Sequence, residues 1–169
     1  PQVIEEKLIK QVSKIARNYN GILISDFVYG VITPNIIDAI TKISKRFNIP
    51  VFADIQCSSQ YGNVLKFENF ELICPNEREA RIALGNNNDS IESIAQQILE
   101  KTKSKKLVLK LGSNGFVSYE ITNDGFIDRE HFPALTVKPL DVAGAGDSLL
   151  AAISVCLTTG LSFMEASAL

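Results

Sequence analysis

The sequence predicts an α/β fold whose mostly parallel sheet is covered by helices on both faces. Short apolar segments of strand type alternate along the chain with longer segments in which apolar residues recur at helical spacing. The short segments, such as Leu107-Val108-Leu109, are continuously apolar, which is typical of strands buried on both faces. The 169 residues, 46% of them hydrophobic and 21% charged, are enough for one core and too few for two ordinary domains.

In the amino-terminal half, apolar spacing predicts a helix from Ile4 to Asn18 and then a strand at residues 21–24. The next helix, residues 34–47, has Thr33 as its cap and Pro34 at its first position, where a missing amide is harmless. Further strands at 51–53 and 71–74 and a helix at 76–84, closed by Gly85, complete this half.

In the carboxyl-terminal half, residues 90–102 have helical spacing and residues 107–111 form an apolar strand. Asn-Gly and Asp-Gly turn signals at 114–115 and 124–125 flank predicted strands at 116–121 and 126–132. Residues 145–159 read as a last long helix, followed by Gly160.

Composition excludes several classes of protein. A net charge of −2 gives no support for a nucleic-acid surface, and the basic run at 101–106 is best interpreted as a solvated helix end. The longest apolar stretch, residues 149–157, is far shorter than the roughly 20 residues of a membrane span, and the amino end has no export pattern. The widely spaced Cys57, Cys74 and Cys156 suit reduced thiols in a cytoplasmic protein.

Polar residues follow the predicted strands at the point where each strand ends. They are Ser25 and Asp26, Asp54, Asn76 and Glu79, and Gly112, and the segment 141–147 then leads into the last helix. In open α/β sheets, ligands bind beyond the carboxyl ends of the strands, so these residues predict a binding edge. Because Asp and Asn also form turns, loop capping is an equal alternative for Asp26 and Asp54.

The most informative candidate functional residues lie in the segment Asp141-Val142-Ala143-Gly144-Ala145-Gly146-Asp147. Gly144 and Gly146 let a ligand approach the backbone, and the first amides of the following helix can bind anionic oxygen. Asp147 would lie beside that anion, where it could take a proton from an attacking hydroxyl. On spacing alone, a tight loop followed by a helix with an acid in its first turn is an equally good interpretation.

This segment resembles the carboxyl-terminal motif of the ribokinase family, also called the PfkB carbohydrate kinases. Pro75-Asn76-Glu77-Arg78-Glu79 resembles the N-x-x-E motif of that family, and Leu109-Lys110-Leu111-Gly112-Ser113-Asn114-Gly115 resembles its nucleotide-contacting strand and turn. Three motifs in order make the resemblance specific. It implies a ribokinase-like three-layer α/β/α fold and ATP-dependent phosphorylation of a sugar or sugar phosphate.

The resemblance also implies roles for individual residues. Asp147 would be the catalytic base, and Gly144, Ala145 and Gly146 would form with it the loop whose amides make the anion hole. Asn76 and Glu79 would organise Mg²⁺ through water, with a helix-capping pair as the alternative. Lys110 and Gly112 would contact ATP, whereas Gly115 is better explained as a turn residue. Asp141 and the carbonyl of Ala143 match part of a potassium site whose other ligands would lie beyond Leu169.

The acceptor sugar is indicated by a weaker resemblance. Ser25-Asp26-Phe27-Val28-Tyr29-Gly30 resembles the S-D-Y-x-K-G stretch of heptose-phosphate kinases, but Tyr29 replaces the lysine. Asp54-Ile55-Gln56 likewise departs from their D-P-K motif. A heptose phosphate or a related sugar phosphate is therefore the leading expectation, with Asp26 and Asp54 as substrate-binding residues. His131 and Tyr61 lie in no pattern that indicates chemistry.

We expect residues 1–169 to form a single, partial kinase domain. Compared with the family, the chain would lack the amino-terminal strands, the small β lid and the carboxyl-terminal tail, so that turnover by this chain alone would be weak or absent. The intact protein would be a cytoplasmic homodimer with no nucleic-acid or membrane partner. The alternative is a non-catalytic nucleotide-binding or subunit-interaction module. A dinucleotide-dependent oxidoreductase ranks last because no G-x-G-x-x-G follows the first strand.

Overall fold

The computed structural model describes residues 2–56, 62–135 and 144–169. The helices within these residues are α1 (Gln2–Ile15), α2 (Pro34–Phe47), α3 (Glu77–Leu84), α4 (Ile91–Thr102), α5 (Ala145–Thr158) and α6 (Phe163–Ala168). The strands are β1 (Ile22–Asp26), β2 (Val51–Ile55), β3 (Leu72–Ile73), β4 (Lys106–Lys110), β5 (Phe116–Ile121) and β6 (Ile127–Phe132). None of the helices in these ranges has the length and apolar content that a membrane crossing requires.

The described strands form one sheet in the order β1-β2-β3-β4-β5-β6. Strands β1 to β4 run parallel, and β5 and β6 continue the sheet as antiparallel neighbours. The prediction of a mostly parallel sheet is therefore confirmed. Because the parallel strands share one direction, their carboxyl ends, with the polar residues that follow them, meet at one edge.

Two hydrophobic clusters cover the two faces of the sheet. Leu107 and Leu109 of β4 pack in the cluster that contains the buried faces of α2 and α4. Val108, between them, packs in a second cluster with Leu150 of α5 and Phe163 of α6. Successive side chains of a strand point to opposite faces, so continuously apolar strands are what a sheet buried on both sides requires. The three-layer arrangement predicted from the strand pattern is confirmed.

Most helix boundaries follow the predicted caps. The hydroxyl of Thr33 accepts a hydrogen bond from the amide of Ile36, with Pro34 at the first position of α2. Asn76 caps α3 and Gly85 ends it, as predicted, whereas Ser90, expected as the first residue of the next helix, is the cap of α4. These agreements arise because a capping bond spans only two or three residues and is readable from local sequence.

Several boundaries differ from the predictions by a few residues. The first helix changes at Ala16–Asn18 into a 3-10 turn, β3 is only two residues long, and β6 begins at Ile127. Pairing nevertheless extends beyond β3, since the amide of Cys74 donates to the carbonyl of Ala53 over 2.9 Å. Pro75 then follows and has no amide with which to continue the ladder.

Gly115 is the turn residue that the Asn-Gly signal predicted. Its φ of +80° is in the left-handed range, and a Cβ there would lie 2.0 Å from the carbonyl oxygen of Phe132. Glycine is therefore required both by the backbone conformation and by the close approach of β6.

Candidate active site

Asp147 lies where the ends of β1 and β2 meet the first turn of α5. The Ser25 hydroxyl donates to Asp147 Oδ1 over 2.7 Å, and Gln56 Nε2 donates to Oδ2 over 2.8 Å. Two neutral donors thus fix the orientation of the carboxylate. Because each carboxylate oxygen has two lone pairs, Asp147 can still accept a hydrogen bond from a further hydroxyl.

The start of α5 presents backbone donors beside this carboxylate. Gly144 is the cap residue, with a φ of +78°, and as a glycine it has no side chain with which to make a capping bond. Its carbonyl accepts the first helical bond, from the Ser148 amide over 2.9 Å. The amides of Ala145, Gly146 and Asp147 precede that bond and have no acceptor within the helix. The geometry therefore fits the anion hole that the family resemblance implies.

Asp54 and Lys110 form a buried ion pair at the same edge. Lys110 Nζ lies 2.5 Å from Asp54 Oδ2; the side chains are 17% and 0% exposed, respectively. Asp54 Oδ1 accepts the Ile55 amide over 2.8 Å. Burial raises the pKa of Asp54 from 3.8 to about 6; the ammonium of Lys110 opposes this rise, and the charge of Glu79 adds to it.

This ion pair lies directly against the first turn of α5. A Cβ built on Gly146 would lie 3.1 Å from Lys110 Nζ and 3.3 Å from Asp54 Oδ2. The structure therefore brings together Gly146, Asp54 and Lys110, which the sequence assigned to three different ligands: the transferred phosphoryl group, the sugar and the nucleotide. Only a residue without a side chain leaves the ion pair undisturbed.

Asp26 is also buried and paired. Its Oδ1 accepts the Val28 amide over 2.9 Å, and its Oδ2 forms a salt bridge with Lys66. The carbonyl of Asp26 accepts the Gln56 amide over 2.8 Å, which links the ends of β1 and β2. The turn-capping alternative is thus observed for Asp26, and its contact with substrate stays a prediction.

Asn76 and Glu79 form a complete capping box. The Glu79 amide donates to Asn76 Oδ1, and the Asn76 amide donates to Glu79 Oε2, each over 2.8 Å. Glu79 is 4% exposed. The capping alternative is observed, and a role with magnesium stays a prediction. The described ranges contain no group of three or more His, Cys, Asp or Glu side chains that could hold a metal. The side-chain oxygens of Asn76 and Glu79 are nevertheless of the kind that Mg²⁺ accepts, directly or through water.

Gly112 follows β4 and opens a 3-10 turn at Gly112–Asn114. The Lys110 amide donates to the Pro75 carbonyl over 3.0 Å, so the end of β4 adjoins the start of α3. The predicted nucleotide residues and Asn76 are therefore neighbours along the edge. Asp141 and Ala143, predicted for potassium, lie outside the described residues, as do Cys57 and Tyr61.

Two remaining residues have structural explanations. His131 Nε2 donates to the carbonyl of Asn114 over 2.8 Å, which joins β6 to the turn before β5. Cys74 is buried, and burial together with the charge of Asp54 raises the pKa of its thiol. Cys74 thus lacks the exposure that a reactive thiol needs, and the exposed His131 is explained by its bond to the turn.

Sequence reasoning gave no role to three residues of the site. Ser25 was noted only as part of the edge and of the S-D-Y-x-K-G resemblance, and Gln56 only as a departure from D-P-K. Lys66 gave no signal, because its partner Asp26 is 40 residues away and no spacing rule connects them. The substitution of Gln56 for lysine was the one available clue, since it occurs in an otherwise recognisable motif.

Comparison with known proteins places this arrangement in a family. The family model described as pfkB family carbohydrate kinase matches residues 3–169. The bifunctional protein HldE of Geotalea uraniireducens is 31% identical over 166 residues, which cover 96% of this chain and 32% of that protein. HldE of Campylobacter jejuni is 28% identical over 167 residues, covering 97% and 34%. The chain thus spans about a third of the length of these curated relatives.

Solved structures show the same fold. Arabidopsis thaliana ribokinase, complexed with ribose and ATP, has a TM-score of 0.71 and 25% identity, with 93% of this chain and 49% of that chain covered. The tetrameric inhibited form of phosphofructokinase-2 from Escherichia coli has a TM-score of 0.74 and 21% identity, with 96% and 52% covered. The ribokinase-like fold predicted from the motifs is confirmed.

Proposed function

This chain belongs to the pfkB family of carbohydrate kinases, and from that premise we propose that it transfers the γ-phosphoryl group of ATP to a hydroxyl of a sugar or sugar phosphate. The observation that carries the proposal is the placement of Asp147. Its carboxylate is oriented by Ser25 and Gln56 in the first turn of α5, next to backbone amides that have no helical acceptor. A base and an anion hole side by side suit phosphoryl transfer to an alcohol.

In this mechanism, Asp147 removes the proton of the acceptor hydroxyl. The hydroxyl oxygen forms a bond to the γ-phosphorus as the bond from that phosphorus to the bridging oxygen breaks, and ADP leaves with the electron pair. The amides of Ala145, Gly146 and Asp147 stabilise the negative charge on the transferring phosphoryl oxygens. Ser25 and Gln56 keep the carboxylate aimed at the hydroxyl, because positioning supplies much of the rate in such reactions.

The nucleotide and the metal are proposed to bind where β4 ends and α3 begins. Lys110 and Gly112 would lie along ATP, and Asn76 and Glu79 would orient water molecules of Mg²⁺. Bound magnesium supplies positive charge that offsets the phosphate oxygens. A potassium site at Asp141 and Ala143 belongs to the same proposal.

The acceptor is proposed to be a heptose phosphate or a related sugar phosphate, with Asp26 on its side of the edge. Tyr29, 87% exposed, lies where the heptose-phosphate kinases carry lysine. Its ring stacks on that of Phe27, two residues after Ser25, with the ring centroids 6.3 Å apart. The loop therefore offers an aromatic surface rather than a cation. The full-length protein is proposed to act as a homodimer.

The substitution Asp147→Asn tests the proposal. Asparagine has the shape of aspartate, and it can accept from Gln56 and donate to the Ser25 hydroxyl, so the fold should be unchanged. Loss of a general base lowers the rate by about 10²–10⁴. ADP release would be measured with MgATP and a panel of sugars and sugar phosphates, with and without potassium, for this chain and for the protein expressed from its complete reading frame.

Stimulation by one sugar phosphate, lost in Asp147→Asn with an unchanged thermal unfolding midpoint, would support the kinase assignment and identify the acceptor. A variant that keeps the wild-type rate would contradict the role of Asp147. If the protein from the complete reading frame responds to no member of the panel, the non-catalytic module becomes the better explanation.

A further inference from the structure

We propose that the ammonium group of Lys110 binds the phosphoryl group held at the first turn of α5, and that Asp54 is the carboxylate that keeps this ammonium in place. The inference rests on the proposed function and adds to it. It gives Lys110 a direct part in phosphoryl transfer, and it gives Asp54 a positioning role in place of the sugar contact that the resemblance implies.

The first argument is the position of Lys110. The residue ends β4, and its side chain, 17% exposed, reaches the helix start rather than solvent. Because Lys110 Nζ lies 3.1 Å from the point where a Gly146 Cβ would be, the ammonium is within about 5 Å of the Gly146 backbone. An anion bound by the amides of that turn is therefore within reach of the ammonium where Asp54 holds it.

The second argument is that the ion pair is a poor stabilising device. Desolvation of a buried carboxylate often exceeds the attraction of its partner, and apolar replacements of buried pairs are commonly neutral or stabilising. Here burial outweighs Lys110, since the pKa of Asp54 is raised rather than lowered. A pair that stabilises the fold so little is better explained by the place in which it holds the ammonium.

The third argument is that Asp54 has no accessible surface with which to bind a sugar. Its side chain is 0% exposed, Oδ1 accepts the Ile55 amide and Oδ2 accepts Lys110. These two bonds fix the carboxylate and hence fix the lysine beneath Gly146. Asp54 therefore acts through Lys110 rather than on the substrate.

Lys106 provides a matched control on the same strand. It begins β4, as Lys110 ends it; it is 12% exposed and lies 2.6 Å from Glu71 and 3.1 Å from Glu120. Both lysines are thus largely buried and paired with carboxylates, but they lie at opposite ends of the strand. A purely structural role would make Lys106→Met and Lys110→Met equivalent.

The experiment compares Lys106→Met, Lys110→Met, Lys110→Arg, Asp54→Asn and the double variant Asp54→Asn/Lys110→Met. The measurements are kcat and KM for ATP, MgATP affinity by calorimetry, and the urea midpoint. A charge-assisted bond to a phosphate is worth about 10- to 100-fold, so Lys110→Met should lower kcat by that factor while Lys106→Met leaves it within about twofold. Arginine should restore part of the rate. The double variant should be as slow as Lys110→Met.

Equal effects of Lys106→Met and Lys110→Met on kcat, or a double variant with the wild-type rate, would overturn the inference. Calorimetry distinguishes failure of this inference from failure of the proposed function. If wild-type protein phosphorylates no acceptor but Lys110→Met weakens MgATP binding at least tenfold more than Lys106→Met does, the proposed reaction fails and the phosphate contact of Lys110 stands. Equal affinities in that case would remove the contact as well.

Discussion

Asp54 should make the stability of the protein fall as the pH rises from about 4 to about 6. Its pKa is 3.8 when the chain is unfolded and about 6 in the folded state, mainly because of burial. Within that window the folded state binds a proton that the unfolded state has released, so protonation favours folding. The stabilisation is fully present below pH 3.8 and is lost as the pH rises through 6.

The size of this effect follows from the two pKa values. They differ by about 2.2 pH units. At about 1.36 kcal/mol per unit, this corresponds to about 3 kcal/mol over the whole window. The substitution Asp54→Asn removes the titrating group and keeps an acceptor for the Ile55 amide. The free energy of unfolding of wild type, relative to the variant, should therefore fall by up to about 3 kcal/mol between pH 4 and pH 7.

Urea unfolding of both proteins at half-unit intervals from pH 4 to pH 8 would measure this difference, since other carboxylates contribute equally to both curves. Lys110→Met supplies a second check. Removing the ammonium leaves burial less opposed, so the pKa of Asp54 should rise further and the decline should extend to higher pH. A difference between wild type and Asp54→Asn that is constant from pH 4.5 to pH 7 would refute the burial argument.

Three further predictions concern glycine positions and the capping box. Gly115→Ala should lower the free energy of unfolding by at least about 2 kcal/mol in thermal unfolding, because its Cβ would meet the Phe132 carbonyl oxygen at 2.0 Å. Gly125→Ala is the control, with the same φ of +80° but open space around it, and should cost about 1 kcal/mol. Equal losses in the two variants would contradict the steric reason. Gly146→Ala should change the free energy of unfolding by less than about 1 kcal/mol, because the backbone of Gly146 is helical. It should nevertheless weaken MgATP binding, because the new Cβ would displace the ion pair of Asp54 and Lys110. An unchanged MgATP affinity in calorimetry would count against the proposed phosphate site. Asn76→Ser should keep the cap of α3 and the melting temperature, because serine caps a helix as well as asparagine does. It should raise the magnesium concentration needed for the half-maximal rate. An unchanged magnesium dependence would leave Asn76 and Glu79 with the capping role alone.

Local sequence predicted the elements well because the signals that end them are short in range. Thr33 and Pro34 are adjacent, and the capping box of Asn76 and Glu79 spans three residues. Their geometry is decided by hydrogen bonds within one helical turn, whatever the rest of the chain does. The boundaries that differed, at β3 and β6, depend on pairing with distant strands, which local patterns do not include.

The edge at which the candidate site lies was also predictable. Parallel strands place their carboxyl ends together, so polar residues after successive strands are brought close without any knowledge of side-chain contacts. Asp26, Asp54, Asn76, Gly112 and Asp147 were identified in this way, and the family motifs then gave most of them expected roles.

By itself, therefore, the sequence determined the fold class, the order of the elements and the edge at which chemistry is expected. Only the tertiary structure decided which side chains pair there. Ser25 and Asp147 are 122 residues apart, and Asp54 and Lys110 are 56 apart. No periodicity or spacing rule reaches across such separations, because these contacts depend on the twist and packing of the whole sheet. Two residues expected on different ligands thus became one buried ion pair beneath Gly146.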